Sequence, residues 1–118
     1  MSCQDIAELA VRLRRFAADR DWEQFHSPKN IAMALSVEVA EIVEHFQWLT
    51  QQQSRNLIQP ERAKVELELA DALIYLVRLA DKLDVDLMAA ANRKMAINED
   101  KYPVEQVRGS AKKYTDYE

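Results

Sequence analysis

The chain has 118 residues, a length that suits one domain, and 48% of them are apolar, enough for a core. Sixteen basic and 20 acidic residues leave a net charge of −4 with no basic tract, which argues against a nucleic-acid partner held by phosphate neutralisation. One glycine and three prolines make turns scarce and long helices the expectation, and no apolar run is long enough to span a bilayer.

The single cysteine, Cys3, excludes an internal disulfide framework and fits a reducing compartment. The opening stretch MSCQDIAELAVRLRRF has acids early and arginines late, the reverse of a signal peptide, so a cytoplasmic protein is expected. A first helix is predicted over Gln4 to Asp19, with Ile6, Leu9, Val11, Leu13 and Phe16 at mostly helical spacing. Its acids lie near the start and its arginines near the end, which complements the helix dipole. The stretch DRDWEQFHSPKN then reads as a loop or short helical turn.

Ser27-Pro28 starts a second helix, serine as cap and proline at the first helical position, running to about Leu49. The polar TQQQSRNLIQPER reads as a connection. A third helix follows from Pro60 to about Leu83, and a fourth from Leu87 to Lys101, ended by Tyr102-Pro103. The polar tail 104–118 is expected to be poorly ordered or to drape over a neighbour. No strand, repeat or low-complexity tract is expected. The predicted architecture is all-α, of four-helix-bundle type, in a single domain 1–118.

On the second helix, Ile31, Leu35, Val39, Ile42, Phe46 and Leu49 form a core stripe roughly 80° wide at about 100° per residue. Glu38 lies about 20° outside that stripe and Glu41 about 80° outside it, with His45 and Trp48 on the same flank. Half-buried carboxylates one turn apart repel and lose solvation unless a cation neutralises them. The third helix repeats the pattern: Glu68, Asp71 and Tyr75 share a stripe about 60° wide. The rest of its circumference is largely apolar, from Leu67 to Ala80, which calls for cover on nearly all sides and suggests a partner subunit.

Two such pairs on facing helices bring four carboxylates together. An oxygen-only ligand set suits Mg²⁺ or Mn²⁺ better than Zn²⁺. Because Mg²⁺ commonly shares its sphere with substrate phosphates, the pattern points to phosphate chemistry. Acidic i,i+3 pairs are also common on solvated helices, and a di-iron bundle is a rival. The latter uses Glu-x-x-His pairs, and here Glu38, Glu41 and Glu44 are followed at i+3 by Glu41, Glu44 and Gln47.

The succession RDWEQFHSPKN, EVAEIVEHFQW, ELADALIYLVRLAD and KMAINEDKYP resembles the all-α nucleoside triphosphate pyrophosphohydrolases of the MazG type. Within them it looks most like the dCTP pyrophosphatase branch. The likeness spans about residues 12 to 115. It implies Mg²⁺-dependent hydrolysis of a (deoxy)nucleoside triphosphate, dCTP or a 5-modified dCTP, to monophosphate and pyrophosphate, a house-cleaning role. It also implies a homodimer or a homotetramer built as a dimer of dimers, with sites formed partly across subunits.

Carried over by position, Glu38, Glu41, Glu68 and Asp71 match the catalytic, metal-binding carboxylates. Trp22 and Trp48 match aromatics lining the base pocket, and His26 and Tyr75 match residues close to substrate. Lys94, Asn98, Lys101 and Tyr102 match a signature tied to phosphate and sugar contacts. The first three also share one helix face within about 60°. Leu13 stands where the animal members are expected to carry histidine, a departure that bears on base preference more than on the reaction. Action on dUTP or an oxidised nucleotide, and a non-catalytic helical interaction module, are the alternatives. Glu44 and His45 receive no role from the pattern.

Overall fold

The computed structural model describes residues 2–111. Among these residues six α-helices follow in order: α1 Ile6–Asp19, α2 Pro28–Phe46, α3 Gln51–Arg55, α4 Glu61–Lys82, α5 Leu87–Lys101 and α6 Val104–Val107. A 3-10 turn, Glu23–Phe25, lies between α1 and α2. No strand occurs among the described residues, so the all-α expectation holds. The chain divides into two compact units, Met1–Val85 and Asp86–Glu118.

Helix starts follow local chemistry. The Asp5 carboxylate accepts from the Glu8 amide at 2.8 Å, which sets the start of α1 two residues later than the periodicity alone predicts. The Ser27 hydroxyl accepts from the Asn30 amide at 3.2 Å with Pro28 at the first helical position. Asp86 caps α5 the same way, accepting from Ala89 at 3.0 Å.

Helix α2 ends at Phe46 rather than Leu49. The connection beyond it contains α3, closed by a reciprocal capping box between Thr50 and Gln53. The T-x-x-Q spacing carried that signal. The tail likewise holds the short helix α6; the expectation for its last part, 112–118, lies outside the described residues.

In the first unit α4 packs against α2 and α1. Among the described residues the buried apolar side chains are few: Ala17 from α1, Ile31 from α2, and Val65, Val77 and Ala80 from α4. Burying an Ile or Val of this kind contributes about 1.5–3 kcal/mol. Leu35, Ile42 and Phe46 of the predicted stripe are half-buried, whereas Val39 is exposed. Leu67, Leu69, Leu73 and Leu76 on α4 and Val43 on α2 are exposed too. The apolar circumference of α4 is thus only partly covered by its own chain.

Both α1 and α4 end in the same way. The amide of Trp22 bonds Ala17 O at 2.9 Å and that of Asp21 bonds Ala18 O at 3.1 Å. With Asp21 in the left-handed region (φ 56°), this is a Schellman closure. Val85 to Ala80 O (2.9 Å) and Asp84 to Asp81 O (3.2 Å) repeat it after α4, with Asp84 at φ 54°. The first closure turns the chain so that Trp22 meets Phe16 edge-on, ring centres 5.7 Å apart and planes at 70°.

Candidate active site

Helices α2 and α4 carry the acids because their i,i+3 spacing sets each pair on one flank, and the packing of α2 on α4 brings the flanks together. One carboxylate oxygen from each of Glu38, Glu41 and Glu68 lies within 4.8 Å of the others. Oε2 of Glu38 and Oε2 of Glu68 are shielded from solvent and have no hydrogen-bond partner. Burial, and then the neighbouring acids Glu41, Asp71 and Glu68, push the Glu38 carboxyl up to about 7. Glu41, then burial, hold Glu68 above the usual carboxylate range. An unpaired buried carboxylate oxygen costs several kcal/mol unless something binds it. The donor set is oxygen only, so what fits is a hard divalent cation such as Mg²⁺ or Mn²⁺.

Asp71 stands one turn beyond Glu68, outside that trio, and is exposed. It forms part of the wall of an adjoining cavity of about 430 Å³. Trp22, His26, Tyr75 and Arg78 line the same cavity, with Leu9, Leu13 and Phe16 supplying an apolar side. Asp71 therefore joins the carboxylate cluster to an aromatic pocket large enough for a base-sized ligand.

Trp48 stands outside that cavity within a single chain and is 87% exposed. His45 is not one of the clustered ligand groups: its Nδ1 meets Glu61 Oε2 at 3.2 Å, and Glu44 is exposed. In the second unit, Lys94, Asn98 and Lys101 follow at i, i+4 and i+7 on α5. Lys94 is exposed, Asn98 and Lys101 are half-buried, and the amide of Tyr102, the C-cap, bonds Asn98 O at 2.9 Å.

Residue-type patterns missed Arg78. Its guanidinium is buried in the first unit and binds the turn that carries Trp22 and His26. An arginine inside the apolar run LIYLVRLA is a signal, since arginine is seldom buried without a partner.

Helices that gather carboxylates beside an aromatic cavity define an all-α, carboxylate-centred class of fold. The chain belongs to the MazG-like family, whose pattern matches residues 33–117. Over 115 residues it is 52% identical to dCTP pyrophosphatase 1 of Mus musculus and 48% identical to that of Homo sapiens. Each alignment takes in 96% of this chain but 66% of the relative, so the chain spans just under two thirds of these relatives' length. The likeness is to the dCTP pyrophosphatase branch, as the motifs implied. The fold is similar to the crystal structure of a pyrophosphatase from Archaeoglobus fulgidus DSM 4304, with a TM-score of 0.79 and 39% identity. That match covers 87% of this chain and 96% of the archaeal one.

Proposed function

We propose that the protein hydrolyses a (deoxy)nucleoside triphosphate, dCTP or a 5-modified dCTP, to the monophosphate and pyrophosphate, as a cytoplasmic guard of the nucleotide pool. The observation that carries this reading is the trio Glu38, Glu41 and Glu68, with two orphaned buried oxygens, next to the cavity of Trp22, His26 and Tyr75. Its support from relatives is the 52% identity to a dCTP pyrophosphatase.

In this reading Glu38, Glu41, Glu68 and Asp71 hold divalent cations. A bound Mg²⁺ would supply polarisation of phosphoryl oxygens and a lowered pKa for an attacking water. Carboxylates held on two packed helices would offer such a cation a preorganised set of oxygens. Trp22 offers its ring to a base, and the apolar wall of Leu9, Leu13 and Phe16 excludes water from its edge. Tyr75 and His26 supply polar groups to the ligand. Lys94, Asn98, Lys101 and Tyr102 are assigned to triphosphate and sugar contacts on the strength of the motif, as a helix face bearing two cations and an amide.

The assembly is proposed to be a homodimer or homotetramer. The exposed leucines of α4 with Val39 and Val43 of α2 offer the surface, and Trp48 offers an aromatic side chain to a neighbouring subunit. A thermal shift tests the catalytic reading. A non-hydrolysable dCTP analogue with Mg²⁺ raises the melting temperature well beyond Mg²⁺ alone. No additional shift with any nucleotide analogue contradicts the reading.

A further inference from the structure

Arg78 is 4% exposed, the one charged side chain among the buried residues described. Its guanidinium faces three partners. NH2 pairs with Glu23 Oε1, NH1 lies 3.6 Å from Asp81 Oδ2, and Nε donates to His26 Nδ1 at 3.2 Å. Glu23 also pairs with Lys82, and Asp81 accepts two bonds from Arg14 at 2.8 and 2.5 Å. The turn Glu23–Phe25 has no side-chain cap of its own. Side chains of α4 thus hold both its first residue and the histidine that follows it.

The His26 contact fixes a proton. A guanidinium only donates, so Nδ1 must present its lone pair. The ring is then neutral and its proton sits on Nε2. Burial, then the positive charge of Arg78, hold His26 below the usual histidine range. Among the described residues Nε2 has no hydrogen-bond partner, and the ring lies 6.3 Å from that of Trp22 in the cavity wall.

We propose that Arg78 is a positioning residue for ligand recognition: it docks the Trp22–His26 turn onto α4 and locks His26 as the Nε2–H tautomer. The cavity thereby keeps one neutral hydrogen-bond donor beside the Trp22 ring. A neutral donor beside an aromatic ring and an apolar wall suits an uncharged acceptor, the carbonyl oxygen or ring nitrogen of a base, better than a phosphate oxygen. The identity of the ligand rests on the nucleotide reading above; the tautomer and the docking of the turn do not.

The test is nitrogen–proton correlation NMR on protein carrying ¹⁵N-histidine, near neutral pH and without nucleotide, with His26→Asn used for assignment. Wild type shows His26 as the single Nε2–H tautomer. Arg78→Lys keeps a cation opposite Glu23 and Asp81 but lacks Nε; it returns His26 to a mixture of tautomers. The same variant raises KM for the nucleotide about tenfold, one hydrogen bond's worth, with kcat changed far less. In the His26→Asn background it adds little. Should Arg78→Lys lose its helical circular dichroism, Glu23→Gln serves instead, with a smaller effect in the same direction.

A tautomer mixture or an Nδ1–H ring in wild type overturns the inference, as do an unchanged KM or effects that add in full. Absence of hydrolysis with every nucleotide overturns the catalytic reading alone, because the spectrum judges the tautomer without substrate.

Discussion

Glu38 on α2 and Glu68 on α4 bring carboxylate oxygens within 4.8 Å of one another, and each holds its Oε2 out of water with no hydrogen-bond partner. Two like charges so placed destabilise the fold until a cation joins them. Mg²⁺ is therefore expected to raise the melting temperature, by the equivalent of about 2.7 kcal/mol at a hundredfold excess over its Kd. Glu68→Gln removes one of the charges. Its metal-free melting temperature rises above wild type, and the Mg²⁺-induced shift shrinks. Scanning calorimetry with and without Mg²⁺ reads both.

The pH dependence has a definite sign. Burial and neighbouring acids push the Glu38 carboxyl up to about 7, above the ~4.3 of an unfolded glutamate. Across that interval the native state keeps a proton that the unfolded chain has released, so this contribution falls as pH rises. His26, held low, works in the opposite direction below about 6.5, so a comparison with Glu38→Gln is needed to isolate Glu38. In metal-free buffer the thermal advantage of Glu38→Gln over wild type is small near pH 5 and grows towards pH 8. A constant difference across that range contradicts the prediction.

Arg14 grips Asp81 through two bonds, but the two ends differ in exposure: the side chain of Arg14 is 58% exposed and that of Asp81 14%. Arg14→Ala should cost little, as loss of an exposed ion pair does. Asp81→Asn should cost about 1–3 kcal/mol, because it also weakens the surroundings of buried Arg78. Urea unfolding distinguishes the two. Arg14, the first cause, holds the Asp81 carboxyl below the usual range, so its contribution is present at neutral pH and lost as pH falls through that lowered value.

Trp22 and Trp48 should behave differently when truncated. Trp22→Ala removes a stacking surface from the cavity and raises KM for a nucleotide by the equivalent of about 1–3 kcal/mol. It also loses the edge contact with Phe16, so stability falls modestly. Trp48 is 87% exposed; in dilute monomer its loss changes stability by less than about 0.5 kcal/mol. A drop in activity or in assembly from Trp48→Ala therefore reports a contact made outside its own chain. Kinetics beside sedimentation separates these outcomes.

The long helices were readable because each carries local signals: Ser27-Pro28, the dipole-matched charges of α1, and the 3.6 period of α2 and α4. The i,i+3 spacing of the acids on α2 and α4 was equally legible, whereas which of them would gather was not: Glu38, Glu41 and Glu68 cluster and Asp71 does not. Helix α3 was obscured by polar composition, although its capping box was in plain view. The Arg78 network was not legible. Its partners on the turn lie 52 and 55 residues away, and no local pattern announces which loop a buried arginine will hold. The exposed position of Val39 likewise depends on how α2 rolls against α4.

Pyrophosphate release bears most directly on the central claim. With Mg²⁺ and a panel of common and 5-modified nucleoside triphosphates, the protein is expected to release pyrophosphate and the monophosphate, fastest from dCTP or a 5-modified dCTP. Glu41→Gln and Asp71→Asn should each lower that rate by at least roughly 100-fold while the helical circular dichroism persists. Full activity in either variant, or no pyrophosphate from any nucleotide, contradicts the account.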